Sequence, residues 1–257
     1  MSVIKPIKRA VKLTVRTISR WGVPRVQPLT VRTLSHDRAS FTQGLAYVNG
    51  TLYESSGDHH QSMLRSVDPT NGRVCDVVSI PNDFAEGIAI FEDRLYQLSW
   101  KSERARVFRL PDLELIDELR YDGEGWGLAS GPAGMVMSNG TGTLRFVDGD
   151  LRTTQQLRVT LNRLPTRRLN DLEWVAGSIY ANVLMQSDIL EISARNGQVS
   201  RILDCASLQA QAAPCDVEHT LNGIAYNPDR DTFFVTGKCW PYMFEVCFPR
   251  DGDPTQL

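Results

Sequence analysis

The sequence predicts an all-β fold: a five-bladed β-propeller of four-stranded antiparallel blades, with the ring closed by an N-terminal strand. Three observations carry that expectation. A short phrase recurs five times, as FTQGLA at 41–46, FAEGIA at 84–89, GEGWGLA at 123–129, LNDLEW at 169–174 and LNGIAY at 221–226. Aligned on Gly44, Gly87, Gly127, Asp171 and Gly223, the copies stand 43, 40, 44 and 52 residues apart, in the period range of propeller blades. Finally, the last copy lacks an outer strand, whereas LTVRTLSH at 29–36 precedes the first copy without a partner. The two deficits match, so residues 29–36 are expected to form the outer strand of the fifth blade and hide its edge.

Each repeat continues alike. The opening strand meets a turn: Asn49-Gly50, Glu92-Asp93, Gly131-Pro132, Ala176-Gly177 or Asn227-Pro228-Asp229. A second apolar strand follows, read as LYES, LYQLSW, MVMSN, IYANV and FFVTGK. The third strands are MLRSVD at 63–68, RVFRL at 106–110, TLRFVD at 143–148, ILEIS at 189–193 and YMFEV at 242–246. Tight turns such as 69–72 and 195–197 lead to a fourth, outer strand. This regularity gives antiparallel blades rather than βαβ units. Beyond residue 22 the only helical signal is a turn or two around 205–213.

With 257 residues, 42% hydrophobic and 23% charged, the chain has ample material for a core. A net charge of −2 points to no nucleic acid or other polyanionic partner. Residues 1–25 read as a basic extension ahead of one propeller domain at 26–257. The first 36 residues carry eight Lys or Arg and no acid, and Ile4, Ile7, Val11 and Ile18 share a helical face. Residues 1–22 therefore suit an amphipathic helix in weak contact with an anionic membrane surface, a transit peptide, or a disordered tail. No secretory signal is recognisable, which favours a cytoplasmic or membrane-surface location over export. The oligomeric expectation is a monomer.

Five scattered cysteines include no CxxC or Cys/His cluster, so no structural zinc is expected. A disulfide between Cys205 and Cys215 is an option that spacing alone does not decide. In Asp58-His59-His60 the paired histidines lack a third ligand at a recognisable spacing, so a solvent-facing turn is expected there.

The function is expected at the residue before each aligned position: Gln43, Glu86, Trp126, Asn170 and Asn222. If each copy opens the innermost strand of a blade, five unlike polar or aromatic groups converge on one axis. The ends of the second strands, Gly57, Trp100, Gly140, Leu184 and Lys238, add another layer.

FTQGL, LYESSG, FAEGI, LYQLSW, GEGWGL, LNDLEWVAGSIYANV and LNGIAY with FVTGKCWP resemble, in order over about residues 28–248, the glutamine cyclotransferases of plant and bacterial type. The resemblance implies a five-bladed propeller that converts the N-terminal glutamine of peptides to pyroglutamate and releases ammonia, with no metal or other cofactor in the chemistry. It places Glu86 at the family's catalytic position and Gln43, Trp100, Asn170 and Lys238 in its pocket. It also marks departures. The family usually has a tryptophan after IYANV, followed by Gln-Thr-Asp; here Leu184-Met185-Gln186-Ser187-Asp188 stands, with a pocket aromatic missing and one residue added. The family is commonly exported as well.

That chemistry suits these residues. The α-amine attacks the side-chain amide of its own residue, so proximity is largely built in. The amine titrates near pH ~8 and must shed a proton first. One carboxylate in a dry, aromatic pocket could take that proton and pass it to the leaving ammonia. Glu86 is the only carboxylate among the five axial residues, and burial beside Phe84, Trp100 and Trp126 would raise its pKa toward working pH. Lys238 would stabilise developing negative charge or neutralise Glu86. Phe41, Phe84, Trp100 and Trp126 are candidate walls; Gln43 and Asn170 are candidate polar grips. Glu124 either reaches the pocket mouth or bonds a neighbouring blade, and Asn222 either faces substrate or ties the channel. Asp171 and Glu173 read as mainly structural, and Trp174 and Trp240 as packing.

Two other readings stand beside this one. A non-enzymatic propeller could bind a peptide terminus or small ligand at the same mouth. A metal-dependent propeller hydrolase wants several axial carboxylates, and this axis offers one.

Overall fold

A computed structural model of the chain describes residues 22–58 and 60–249. The basic segment at 1–21, and with it the expectation of surface binding, lies outside the described residues, as does His59. The neighbouring Asp58 and His60 are both exposed.

Five antiparallel sheets follow one another in chain order. The first comprises Thr42–Val48, Thr51–Ser56, Ser62–Val67 and Val74–Ile80, and the second Ala85–Phe91, Arg94–Ser99, Arg104–Arg109 and Glu114–Arg120. The third runs Leu128–Gly131, Gly134–Met137, Thr143–Val147 and Thr153–Arg158. The fourth runs Leu169–Val175, Ser178–Val183, Asp188–Ser193 and Val199–Asp204. The fifth takes Leu221–Asn227, Thr232–Gly237 and Tyr242–Cys247 from the C-terminal end, and its outer strand is Leu29–Ser35. Leu29 stands opposite Cys247 and Ser35 opposite Tyr242, the closure expected from the unmatched strands. Three of the inner hairpins turn on paired residues with positive φ (Asn49-Gly50, Glu92-Asp93, Ala176-Gly177), the tight-turn geometry that suits twisted strands.

Apolar residues alternate to the blade faces, and the core lies between blades. Val136, Leu144, Leu172, Ile179 and Ile192 pack between the third and fourth; Tyr180, Ile224, Phe233 and Phe244 pack between the fourth and fifth. Trp240 is fully buried in the latter layer, and Trp174 packs partly buried against the former, as packing residues should.

The closing strand is locked ionically as well as by its ladder. His36, just past that strand, points Nδ1 at the Trp240 carbonyl (2.7 Å) and Nε2 at Glu54 Oε1 (2.9 Å). Both partners are acceptors, so both ring nitrogens donate and the imidazole is cationic. Arg65 closes on the other Glu54 oxygen at 2.8 Å, while Ser40 and Thr42 donate to Oε1. Glu54 is fully buried, and although burial alone would raise its pKa, these partners hold the carboxyl far below the ordinary range.

Two features go beyond the expected pattern. Arg25–Val26 adds a parallel fifth strand to the fourth blade, where Arg25 binds Asp188 (2.9 Å) and Asp204 (2.7 Å). A small hairpin, Thr160–Leu161 with Leu164–Pro165, bridges the third and fourth blades. The helical signal resolves as one helix, Ala206–Ala212, seated by Leu208 and Ala212. All five cysteines are free, so the Cys205–Cys215 option is not taken up; Cys205 is buried and Cys215 exposed.

Candidate functional site

The aligned glycines are where the blades touch. A Cβ on Gly87 would lie 2.6 Å from Gly127 Cα, and one on Gly127 would lie 2.1 Å from the Asn170 carbonyl oxygen. Only a residue without a side chain permits that approach. In the first, second, fourth and fifth blades a register shift falls at this same point of the opening strand. Such a bulge turns the residue beside it out of the ladder, and here that residue is Gln43, Glu86, Asn170 or Asn222.

The fourth phrase carries Asp171 where the others have glycine, and the structure supplies the reason. Its Oδ2 accepts the Ile224 N–H at 2.9 Å and the Leu45 N–H at 3.4 Å, which joins the fourth blade to the fifth and first. Glu173 accepts the Tyr226 N–H at 2.9 Å and reinforces the seam with the fifth blade. Burial pushes Asp171 well above the ordinary carboxylate range and Glu173 up to about 7. Both have the structural placement expected of them.

A cavity of about 460 Å³ opens at this end of the axis. Its polar lining is Gln43, Glu86, Asn170, Glu218 and Lys238; its rings are Phe41, Phe84, Trp100 and Trp126; Leu184 and Met185 complete the wall. Eight of the nine anticipated site residues line it. The ninth, Glu124, stands behind the wall, where its Oε2 accepts from both Trp100 Nε1 and Trp126 Nε1 at 3.0 Å. Phe41, Phe84 and Glu124 each stand two residues before an axial position, so the same place in the repeat supplies two rings and one ring anchor. Phe84 packs edge-on against Phe41 (6.4 Å) and Trp100 (5.6 Å). Gly140 seats Trp126: a Cβ there would meet the indole at 2.6 Å.

At the floor, two side-chain amides and a carboxyl form a chain. Asn222 Nδ2 donates to Gln43 Oε1 at 3.0 Å and to the Thr42 carbonyl at 3.0 Å, and Gln43 Nε2 faces Glu86 Oε1 at 3.4 Å. Asn222 therefore ties the channel and fixes which end of the Gln43 amide meets Glu86. Asn170 is 3% exposed, and its Oδ1 accepts from no donor among the described residues. Asn170 lines the cavity, although that oxygen is itself buried.

Glu86 is 5% exposed. Burial pushes its carboxyl well above the ordinary range; Lys238 opposes the shift, and Asp171 and Glu124 add to it. Burial lowers the Lys238 amine, against the pull of Glu86 and Glu218. Lys238 Nζ lies 4.4 Å from the centre of the Phe41 ring. Among the described residues no group of three or more His, Cys, Asp or Glu could hold a metal ion.

Glu218 was not anticipated; it lies on a loop between strands, outside the repeated phrase, so no spacing pointed to it. Leu184 and Met185 occupy the wall where the resemblance leads one to expect an indole.

The chain is similar to known proteins of one family. A family model described as glutamine cyclotransferase matches residues 7–248. The chain is 33% identical over 225 residues to a glutaminyl-peptide cyclotransferase of Arabidopsis thaliana, covering 84% of this chain and 69% of the relative. The crystal structure of Myxococcus xanthus glutaminyl cyclase superposes with a TM-score of 0.84 at 34% identity, covering 88% of this chain and 98% of that one.

Proposed function

The chain belongs to the glutamine cyclotransferase family, and we propose that it is a glutaminyl-peptide cyclotransferase, an aminoacyltransferase that converts N-terminal glutamine of peptides to pyroglutamate and releases ammonia. The observation that carries the reading is Glu86: one buried carboxyl, raised in pKa by that burial, at the floor of an aromatic cavity.

The substrate's glutaminyl side chain lies between Trp100 and Trp126, whose edges are held by Glu124. The amine and the side-chain amide fold toward Glu86. Ionised Glu86 takes one proton from the α-ammonium, and the neutral nitrogen attacks Cδ, forming the ring bond. The protonated Glu86 then returns that proton to the amide nitrogen, the Cδ–N bond breaks and ammonia leaves. The ring nitrogen gives up its surplus proton to solvent, leaving the lactam. A carboxyl whose pKa is raised toward that of the amine moves the proton in both directions with little driving force lost.

The Asn170 amide, which lines the cavity, grips the substrate's polar groups, while Gln43, oriented by Asn222, holds Glu86 in register. Lys238 favours the ionised form of Glu86 and offsets charge that develops on the amide oxygen. No step is routed through a metal. Incubating the purified protein with a Gln-initiated dipeptide at pH 6–9 tests the proposal. Ammonia and pyroglutamate should appear in equal amounts; binding of the peptide without either product would favour the non-catalytic binding module instead.

A further inference from the structure

We infer that Leu184 and Met185 form the subsite for the residue that follows the N-terminal glutamine, and that substrates with a large apolar residue at this second position are turned over fastest. The inference rests on the cyclotransferase reading and adds the substrate class that reading leaves open.

The cavity is graded from floor to mouth. Its polar floor (Gln43, Glu86, Asn170) is almost wholly buried, whereas Met185 is 46% exposed. The amine and the side-chain amide of one glutaminyl residue must both reach Glu86, so its carbonyl and the rest of the peptide run outward. A volume of about 460 Å³ exceeds what one glutaminyl residue fills, and the next residue lies between the floor and the lip. The wall it meets there is aliphatic only at Leu184 and Met185.

The lip is built rather than loose. Leu184 N–H donates to the Arg168 carbonyl at 2.9 Å, and Gln186 N–H donates to the Val183 carbonyl at 3.0 Å. Between them Met185 has a φ of +63°, a left-handed conformation that side-chain-bearing residues rarely hold without support. A large apolar side chain fixed in that conformation at a cavity mouth contributes little to the core. Its exposed surface is continuous with the reaction cavity, and a peptide's second side chain would cover it. Methionine is unbranched and polarisable, so the lip should grade partners by apolar area more than by shape.

The test uses the full-length protein and amidated tripeptides that differ only at the second residue: Gln-Gly-Ala, Gln-Leu-Ala, Gln-Phe-Ala and Gln-Lys-Ala. Covering about half of a leucine-sized side chain predicts a kcat/KM roughly five- to tenfold higher for Gln-Leu than for Gln-Gly. Met185→Ser should compress that ratio to about twofold, and Met185→Leu should largely restore it. Turnover of all four peptides with a Gln-Leu to Gln-Gly ratio near one, or a ratio indifferent to Met185→Ser, overturns the subsite. So does a preference for Gln-Lys, which would give the lip to Glu218. Absence of ammonia from every peptide overturns the underlying reaction as well, an outcome distinct from flat turnover.

Discussion

Replacing Glu124 with alanine removes the one anchor shared by the two cavity indoles. A single oxygen, Oε2, receives both indole N–H groups at 3.0 Å. A hydrogen bond to a charged acceptor contributes roughly 1.5–3 kcal/mol. Glu124 is half-buried, so the lower figure applies and the two bonds together amount to about 3 kcal/mol. If half to all of that stabilisation is expressed in the transition state, kcat/KM for a Gln-initiated peptide falls about ten- to a hundredfold. Glu124→Gln keeps an acceptor oxygen and should lose less, within about tenfold. The pH profile separates positioning from a general structural defect. Glu124 is one of the groups that raise the Glu86 carboxyl, so removing its charge lets Glu86 ionise at lower pH. The acidic limb of kcat/KM should move to lower pH in both variants. A Glu124→Ala enzyme within threefold of the parent, or a limb displaced upward, would refute the reasoning.

Two further outcomes follow from the same electrostatics. Lys238 opposes the rise at Glu86, so Lys238→Met should push the carboxyl higher still and shift the acidic limb to higher pH, with a loss of turnover near neutrality; an unmoved limb would place Lys238 outside the proton chemistry. In the ring closure, burial alone would lower the His36 pKa, but Glu54 outweighs it and the net shift is upward. A raised histidine contributes stability that is complete below its unfolded value of about 6.5 and lost as pH rises through its folded value. Urea unfolding should therefore show His36→Gln less stable than the parent by roughly 3 kcal/mol at pH 6, with a smaller difference at pH 9. Equal deficits at the two pH values would mean that His36 is not the cation of the latch.

The phrase that repeats in the sequence is also what builds the axis, which is why so much was legible there. Gly87 and Gly127 recur because backbones meet at them, and Glu86 and Asn170 differ because they face the cavity rather than another blade. Closure was legible because an outer strand was missing at one end and spare at the other. Contacts made across the ring were not. His36, Glu54 and Arg65 are ordinary residues until the fold brings them together, and Arg25–Val26 pairs with a strand more than 170 residues away in sequence. Asp171, read from the sequence as mainly structural, proves to bridge three blades through contacts that the repeat alone does not show. Glu124 was expected either at the mouth or on a neighbouring blade's backbone; it takes neither place and instead holds the two indoles that reach the cavity. Loop residues obey no period: Met185 was visible only as a departure from the family pattern, and Glu218 emerged only with the cavity itself.

The central claim is that the Glu86 carboxyl carries the proton from amine to leaving ammonia. Glu86→Gln keeps the size and the contact with Gln43 while removing the titrating group, so the fold should persist. The direct measurement is ammonia release from a saturating Gln-initiated peptide by the parent and by this variant, both checked for the same thermal unfolding. Proton transfer by a positioned side chain contributes about a hundred- to ten-thousandfold, and the account predicts a fall in kcat of that size. A folded Glu86→Gln protein that retains a tenth or more of the parent rate would contradict it.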